Sequence, residues 1–427
     1  MGQYSPYFSL AAESVPNSLP EGCRIIFVQY LARHGARFPT KTNGENYRKL
    51  IDRIKGTSLE GKYSFLREYE YNLGTEELTN MGRKELFNSG IQFYRRYASL
   101  IESNEAHVIA PFVRSSDSQR VIESADKFLD GLQRARLDSE GADKRKEWRK
   151  TPKVDVILGE YEGFNNSLNH GVCPNFEKNK LSDQELEEFT STFVPAISKR
   201  LHQDGLGDLS TSATTNFMDM CPFHTVAFNE DPTNLTLSPF CDLFTPEEWT
   251  SYDYLQSLKK YYGYGGGNPL GPAQGIGFAN ELIARLTNTS VHDHTSTNHT
   301  LDSNPATFPL IDTAIYADFT HDNGLIPIYF ALGLYDGTKP LPKSHKQSTK
   351  ETNGFSSAWT VPFAARASVE AMSCAGEPEP LVRVLVNDRV VPPHGCEPDS
   401  LGRCTLDNFV WALGFARGGG NWGSCFD

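Results

Sequence analysis

No stretch of this 427-residue chain runs uncharged and apolar for the roughly 18 residues that a membrane span requires. Basic residues are in deficit. Forty-one Lys plus Arg stand against 53 Asp plus Glu, a formal charge of −12, which argues against a general nucleic-acid or anionic-membrane binder. An anionic ligand therefore has to be held by a local basic pocket in an acidic protein. No two cysteines form a C-x-x-C pair, which disfavours a zinc ribbon or a thioredoxin-like motif. There is no G-x-S-x-G, so the common serine-hydrolase elbow is missing. The glycine-rich stretch 263–277 reads as a loop; without a preceding strand or a following Gly-Lys-Ser/Thr, it is not a nucleotide cradle. The chain opens Met-Gly-Gln-Tyr-Ser, without a basic segment followed by an apolar one, and is expected to be a mature form from which a targeting segment has been removed.

What is present is ordinary for a folded protein: 38% hydrophobic, 22% charged and 11% aromatic residues, enough apolar material to offset the entropy of ordering. The length favours two or three domains. Eight cysteines and four sequons, at Asn165, Asn234, Asn288 and Asn298, point to an oxidising, secretory history and to N-glycans at those asparagines. The pairing of the cysteines is not fixed by their spacing.

Several short apolar runs end abruptly in charged loops. Residues 24–31 are followed by Ala32-Arg33-His34-Gly35-Ala36-Arg37-Phe38-Pro39, and the run from His107 to Val113 by Arg114-Ser-Ser-Asp-Ser. A third run, Thr313 to Phe319, leads into Thr320-His321-Asp322-Asn323. Val154–Leu158 and Leu381–Val386 are further strand candidates, and helical patterns begin near Asp117 and near Gly324. Strands interleaved with helices predict an α/β fold, a mixed, mainly parallel sheet flanked by helices. Segments 76–103, 181–204 and 246–262 are helical in pattern and suggest a smaller, mainly helical second domain. We expect the α/β domain over 1–44, 107–160 and 301–427, and the helical one over 45–106 and 161–300. Open α/β sheets bind ligands beyond the carboxyl ends of their strands, which would bring the basic and His-Asp segments together.

Those residue types suit cleavage of a phosphate monoester. The dianion needs fixed cations, phosphorus needs a nucleophile, and the alkoxide needs a proton. Arg33 and Arg37 bracket His34 and offer two-pronged donors to phosphate oxygens. Gly35 leaves room for close approach, and neighbouring guanidinium groups keep His34 neutral and nucleophilic at acid pH. Arg114 would add a third fork, His321 a hydrogen bond to a phosphoryl oxygen, and Asp322 the proton. The helix after Asp322 would aim amide donors at an anion. Reaction through a phosphohistidine, without metal or other cofactor, fits these parts.

The chain resembles the histidine acid phosphatases and, within them, the fungal 3-phytases of the Aspergillus type. The resemblance runs from Gln3-Tyr4-Ser5-Pro6 to the last cysteine. It includes Arg33 to Thr40, Phe112-Val113-Arg114-Ser115-Ser116, Met218-Asp219-Met220-Cys221, Ser257 to Gly263 and His321-Asp322-Asn323-Gly324. It implies a site in a cleft between an α/β and a helical domain, with His34 as the phosphorylated nucleophile and Asp322 as the proton donor. Arg33, Arg37, Arg114 and His321 would hold the scissile phosphate; Thr40, Gln3, Tyr4 and Lys260 would line the site. It further implies myo-inositol hexakisphosphate (phytate) as substrate, attacked first at the 3-position. The implied disulfides are Cys23–Cys374, Cys173–Cys425, Cys221–Cys241 and Cys396–Cys404. Relatives carry a further N-terminal cysteine pair, so the start is expected to be truncated.

One departure stands out. Asn43 and Asn46 occupy positions where some relatives place lysines that meet the other phosphates, leaving Lys259, Lys260, Lys41 and Arg48 as nearby cations. A broad-specificity acid phosphatase is therefore the alternative, and a polyanion-binding protein without turnover the alternative of another class. An acid pH optimum is expected. His292, Asp293, His294 and His299 read as a flexible, glycosylated loop rather than a metal site. Asp219 reads equally as a pocket wall or a capping carboxylate.

Overall fold

The structure, a computed structural model, describes residues 1–57, 59–178 and 182–427. Strands β1 (Cys23–Arg33), β2 (Phe112–Ser116), β3 (Val156–Leu158), β4 (Ile315–Thr320), β5 (Arg366–Cys374), β6 (Leu381–Val386), β7 (Arg389–Val390) and β8 (Cys404–Thr405) form one mixed sheet. Their spatial order is β3-β2-β4-β1-β5-β6-β7, with β8 beside β6. The four strands β3, β2, β4 and β1 are parallel neighbours; from β1 to β7 the pairing is antiparallel. The fold is the expected α/β architecture, and its parallel half carries the charged strand ends.

Both faces of that half are covered, as parallel strands require. On one face Phe27, Leu31, Phe112, Val156 and Tyr316 pack under α7 (Pro246–Tyr264), α8 (Ile276–Thr287) and α10 (Asp322–Ala331). On the other, Val28, Tyr30, Val113, Ala317 and Phe319 pack against α2 (Asn80–Ile101) and α3 (Gln119–Asp138). A separate apolar core joins α1 (Lys41–Lys55), α5 (Ser182–Leu201) and α6 (Thr211–Phe228) through Tyr47, Ile51, Ile197, Leu201, Phe217 and Phe223. Short helices α4 (Pro174–Lys178) and α9 (His299–Asp302) lie in connecting segments.

Several details differ from the sequence-based expectations. The run 107–113 is not itself a strand: Pro111 lacks an amide to donate, and the strand begins at Phe112 and continues through Ser116. Arg114 thus sits inside β2. Strand β5 was concealed by its polar residues, yet Glu370 is buried there because Arg96 (2.5 Å), Arg383 (2.9 Å) and Tyr97 (2.8 Å) satisfy it. The pattern in 76–103 does form a helix, but apart from Met81, which joins the core of the helical part, its buried apolar residues from Leu86 to Ile101 pack on the sheet, and α8 also packs on the sheet. The expected helix start at 181 lies outside the described residues. Segment 293–297 is packed rather than loose: buried Asp293 accepts from Asn280 Nδ2 (2.8 Å), Thr295 N (2.8 Å) and Thr297 Oγ1 (2.9 Å). The four disulfides are those the resemblance implied, Cys23–Cys374, Cys173–Cys425, Cys221–Cys241 and Cys396–Cys404.

Candidate active site

The carboxyl ends of the parallel strands converge on His34. Beyond β1 the chain passes through Gly35 close against α2, and a Cβ at Gly35 would run into the carbonyl of Gly82. Close packing of two backbones is what this position demands, rather than approach of a ligand. The loop is fixed from below. Glu85 accepts from Ala36 N (2.8 Å) and Tyr7 N (3.0 Å), Ser124 Oγ from Gly35 N (3.2 Å), and Ala36 O from Thr79 N (2.9 Å). Burial pushes the Glu85 carboxyl up to about 7, the two amides and Arg33 pulling the other way.

His34 is 1% exposed. Its Nδ1 lies 2.8 Å from Gly35 O, an acceptor only, so Nδ1 carries the proton and Nε2 keeps a lone pair. Burial, then the charges of Arg33, His321, Arg37 and Arg120, hold the ring well below the usual histidine range. The imidazole stays neutral in acid.

Arg33, fully buried, donates from NH1 to Gln3 O and to Val361 O (2.7 Å), and its guanidinium lies over the Phe363 ring at 4.6 Å. Its Nε and NH2 have no hydrogen-bond partner, and burial lowers it to about 10. Arg37 donates to Phe38 O (2.8 Å) and lies over Phe223. Buried donors without acceptors are costly unless a ligand supplies acceptors. Tyr4 packs its ring against Phe223 and Phe363 beneath these cations, and burial raises its hydroxyl to about 12. Thr40 serves as the cap of α1, accepting from Asn43 N (3.4 Å).

Asp322 opens α10 and faces Lys260 Nζ at 2.6 Å and Arg33 NH2 at 3.4 Å. Burial raises its pKa, but Arg33, Lys260 and His34 outweigh burial and hold it well below the usual carboxylate range. Lys260 is buried within α7 and also donates to Asn323 Oδ1 (2.6 Å). The rings of His321 and His34 are 5.5 Å apart, and His321 Nε2 donates to Glu160 Oε1 (2.8 Å). Asp219 accepts from Tyr47 (2.7 Å) and Tyr252 inside the helical core. A groove of about 860 Å³ lies at the amino ends of β2 and β4, lined by Phe112, Phe308 and Ile311, and shares no residue with this cluster. No group of three or more His, Cys, Asp or Glu side chains able to hold a metal occurs among the described residues.

A model of the histidine phosphatase superfamily (branch 2) matches residues 24–387. The chain belongs to that superfamily. It is 56% identical to Phytase A of Aspergillus awamori over 99% of this chain and 89% of that protein. It is 51% identical to Phytase A of Penicillium oxalicum over 99% and 90%. In fold it is similar to the phytase from D. castellii, with a TM-score of 0.78, 22% identity and coverage of 99% and 86%. It is also similar to the Bifidobacterium longum multiple inositol polyphosphate phosphatase crystallised with phosphate, with a TM-score of 0.66, 16% identity and coverage of 97% of each chain.

In this histidine phosphatase one expected ligand is misassigned. Arg114 does not face the cluster. Being mid-strand, opposite Asp318 in register, it turns into the layer between sheet and α8. There its Nε donates to Asp318 Oδ1 (2.8 Å) and its NH2 to Glu281 Oε2 (2.6 Å) and Asp318 Oδ2 (3.1 Å). Its donors are taken up by a buried ion-pair network that also includes Arg285. The third guanidinium acting electrostatically on His34, after those of Arg33 and Arg37, belongs to Arg120, in the first turn of α3, with its Nε buried and unpartnered. Burial and Arg37 lower its pKa, whereas Glu76, Glu160 and Asp322 oppose them. The second arginine of Arg114-Ser-Ser-Asp-Ser-Gln-Arg120 was the signal available in sequence, once the strand is read as ending at Ser116. Glu160, just past β3, gave no signal at all.

Proposed function

We propose that this enzyme is a phytase that removes phosphate from myo-inositol hexakisphosphate in two steps, beginning at the 3-position. His34 Nε2 attacks phosphorus while the bond to the inositol oxygen breaks, and Asp322 protonates the departing alkoxide. Water, deprotonated by the Asp322 carboxylate, then attacks the phosphohistidine, releasing phosphate and restoring His34. Arg33, Arg37 and Arg120 take the equatorial oxygens, His321 one of them. Gln3, Tyr4, Thr40 and Lys260 form the surroundings in which the inositol ring sits.

The observation that carries this reading is the state of His34: neutral, with Nδ1–H bonded to Gly35 O and Nε2 left to react, beside buried guanidinium nitrogens of Arg33 and Arg120 that make no hydrogen bond. Asp322 is a carboxylate in the free enzyme and has to gain its proton on binding. A phosphate monoester loses its second proton near pH ~6, so in acid it arrives protonated. Its charge also draws Arg33 and Lys260 away from Asp322 and raises that carboxyl. Rapid-quench labelling with radioactive substrate tests the scheme: an acid-labile label on His34 is expected, and turnover without one overturns it. The same label separates the enzyme from a mere polyanion binder.

The second reading, a phosphatase of broad specificity, rests on Asn43 and Asn46, uncharged residues in the first turns of α1 where the wall of the site needs cations for a polyphosphorylated ring. Comparing kcat/KM for phytate and for a simple monoester decides between them.

We also infer a secreted glycoprotein. Four disulfides fit an oxidising compartment, and no described helix is long and apolar enough to cross a membrane. Among the sequons, Asn165, Asn234 and Asn288 are exposed and Asn298 is half-buried. Asn165 Nδ2 donates to Thr297 O (2.9 Å) and Asn298 Oδ1 accepts from Thr300 N (3.2 Å), so Asn234 and Asn288 are the better acceptors.

A further inference from the structure

We propose that Glu160 is a positioning residue for phosphoryl transfer, holding His321 through Nε2 so that Nδ1 meets the phosphoryl group as a donor. This rests on the two-step reading above. Glu160 follows β3, the outermost of the four parallel strands, so each of those strands contributes one part: β1 Arg33 and His34, β2 through its following turn Arg120, β4 His321 and Asp322, and β3 this carboxylate.

The contact is specific. Glu160 Oε1 lies 2.8 Å from His321 Nε2, with the two side chains 24% and 14% exposed. The backbone around Glu160 is anchored. Asn166 Nδ2 donates to Gly159 O (3.1 Å), Asp117 N donates to Leu158 O (2.9 Å), and Leu168 N donates to Asn166 Oδ1 (2.8 Å). Thr320, at the end of β4, reaches the same segment through Leu168 O. A carboxylate on such a frame fixes a ring orientation in the way that carboxylates orient the histidines of metal sites.

The chemistry explains why a charge is needed and not only an acceptor. A neutral imidazole whose Nε2–H is engaged offers a lone pair at Nδ1, which repels a phosphoryl oxygen. A ring protonated at both nitrogens donates one N–H to Glu160 and the other to the phosphoryl group. Burial raises the Glu160 carboxyl, but the bond from His321 and the charges of His321 and Arg120 bring it below its usual value, so it is ionised in acid. The titratable groups facing Glu160 are His321 and Arg120; those facing His321 include the Glu160 carboxylate and the neutral His34 ring.

The test compares the whole protein with its Glu160→Gln, Glu160→Ala and Glu160→Asp variants on p-nitrophenyl phosphate across pH. E160Q keeps an acceptor and removes the charge. The expected results are a fall of about ten- to hundred-fold in kcat/KM, an alkaline limb moved to lower pH, and an unchanged Tm. E160A should fall at least as far, and E160D should recover part of the limb. E160Q with a wild-type kcat/KM and limb overturns the proposal, as does a loss in E160Q that E160D leaves uncorrected. Rapid-quench labelling separates the two levels: a wild type without phosphohistidine overturns the two-step reading. A labelled wild type whose pH profile E160Q matches overturns only the role of Glu160.

Discussion

Lys260 Nζ lies 2.6 Å from Asp322 Oδ2, so the group assigned to donate a proton is paired, in the free enzyme, with a buried cation that keeps it ionised. Removing the cation allows Asp322 to titrate at higher pH. Lys260→Met is expected to move the alkaline limb of kcat for inositol phosphates to higher pH and to raise KM. A pH–rate profile with an unmoved limb separates Asp322 from the proton transfer.

The donor itself is tested through the leaving group. In Asp322→Asn the rate on inositol phosphates should drop by about 10²–10⁴-fold, the usual worth of general acid catalysis. On p-nitrophenyl phosphate, whose phenolate departs without a proton, the drop should be much smaller. Equal losses on the two substrates count against proton donation.

His34 links activity to stability. Its folded pKa is depressed, so as pH falls below about 6.5 the unfolded chain takes up a proton that the folded one does not, and the native state loses stability until its own pKa is reached. His34→Ala removes this penalty. Turnover and phosphoenzyme should vanish, and the Tm of the variant relative to wild type should rise as pH is lowered from 8 to ~5. A Tm difference independent of pH would show that the ring is not held neutral.

The two arginines after β2 should part company. Arg120→Ala is expected to lower kcat/KM by about 10²-fold or more, as loss of a preorganised donor does, with little change in Tm. Arg114→Ala leaves Asp318 and Glu281 with a buried charge imbalance and should cost about 3–5 kcal/mol of stability. Denaturant unfolding and kinetics on both variants check the assignment; an Arg114 variant of normal stability and lost phosphate affinity reverses it.

Much of this protein is written locally. The β-rich run ending in Arg33-His34, the run ending in His321-Asp322 and the helices after them follow from apolar periodicity and from what phosphate chemistry requires, and the structure brings these segments together. Periodicity failed where burial is electrostatic: β5 carries Glu370 and Arg366 inward, and β2 carries Arg114, because partners on other segments neutralise them. Such partners lie far apart in sequence, Arg114 from Asp318 by 204 positions and His321 from Glu160 by 161. The sequence alone therefore determined which side chains are available for the chemistry and that strands deliver them. Which arginine faces phosphate, which is spent inside the fold, and which carboxylate stands behind His321 were decided by strand register and burial, since a charge buried in a low-dielectric interior is placed by whatever opposite charge tertiary packing sets against it.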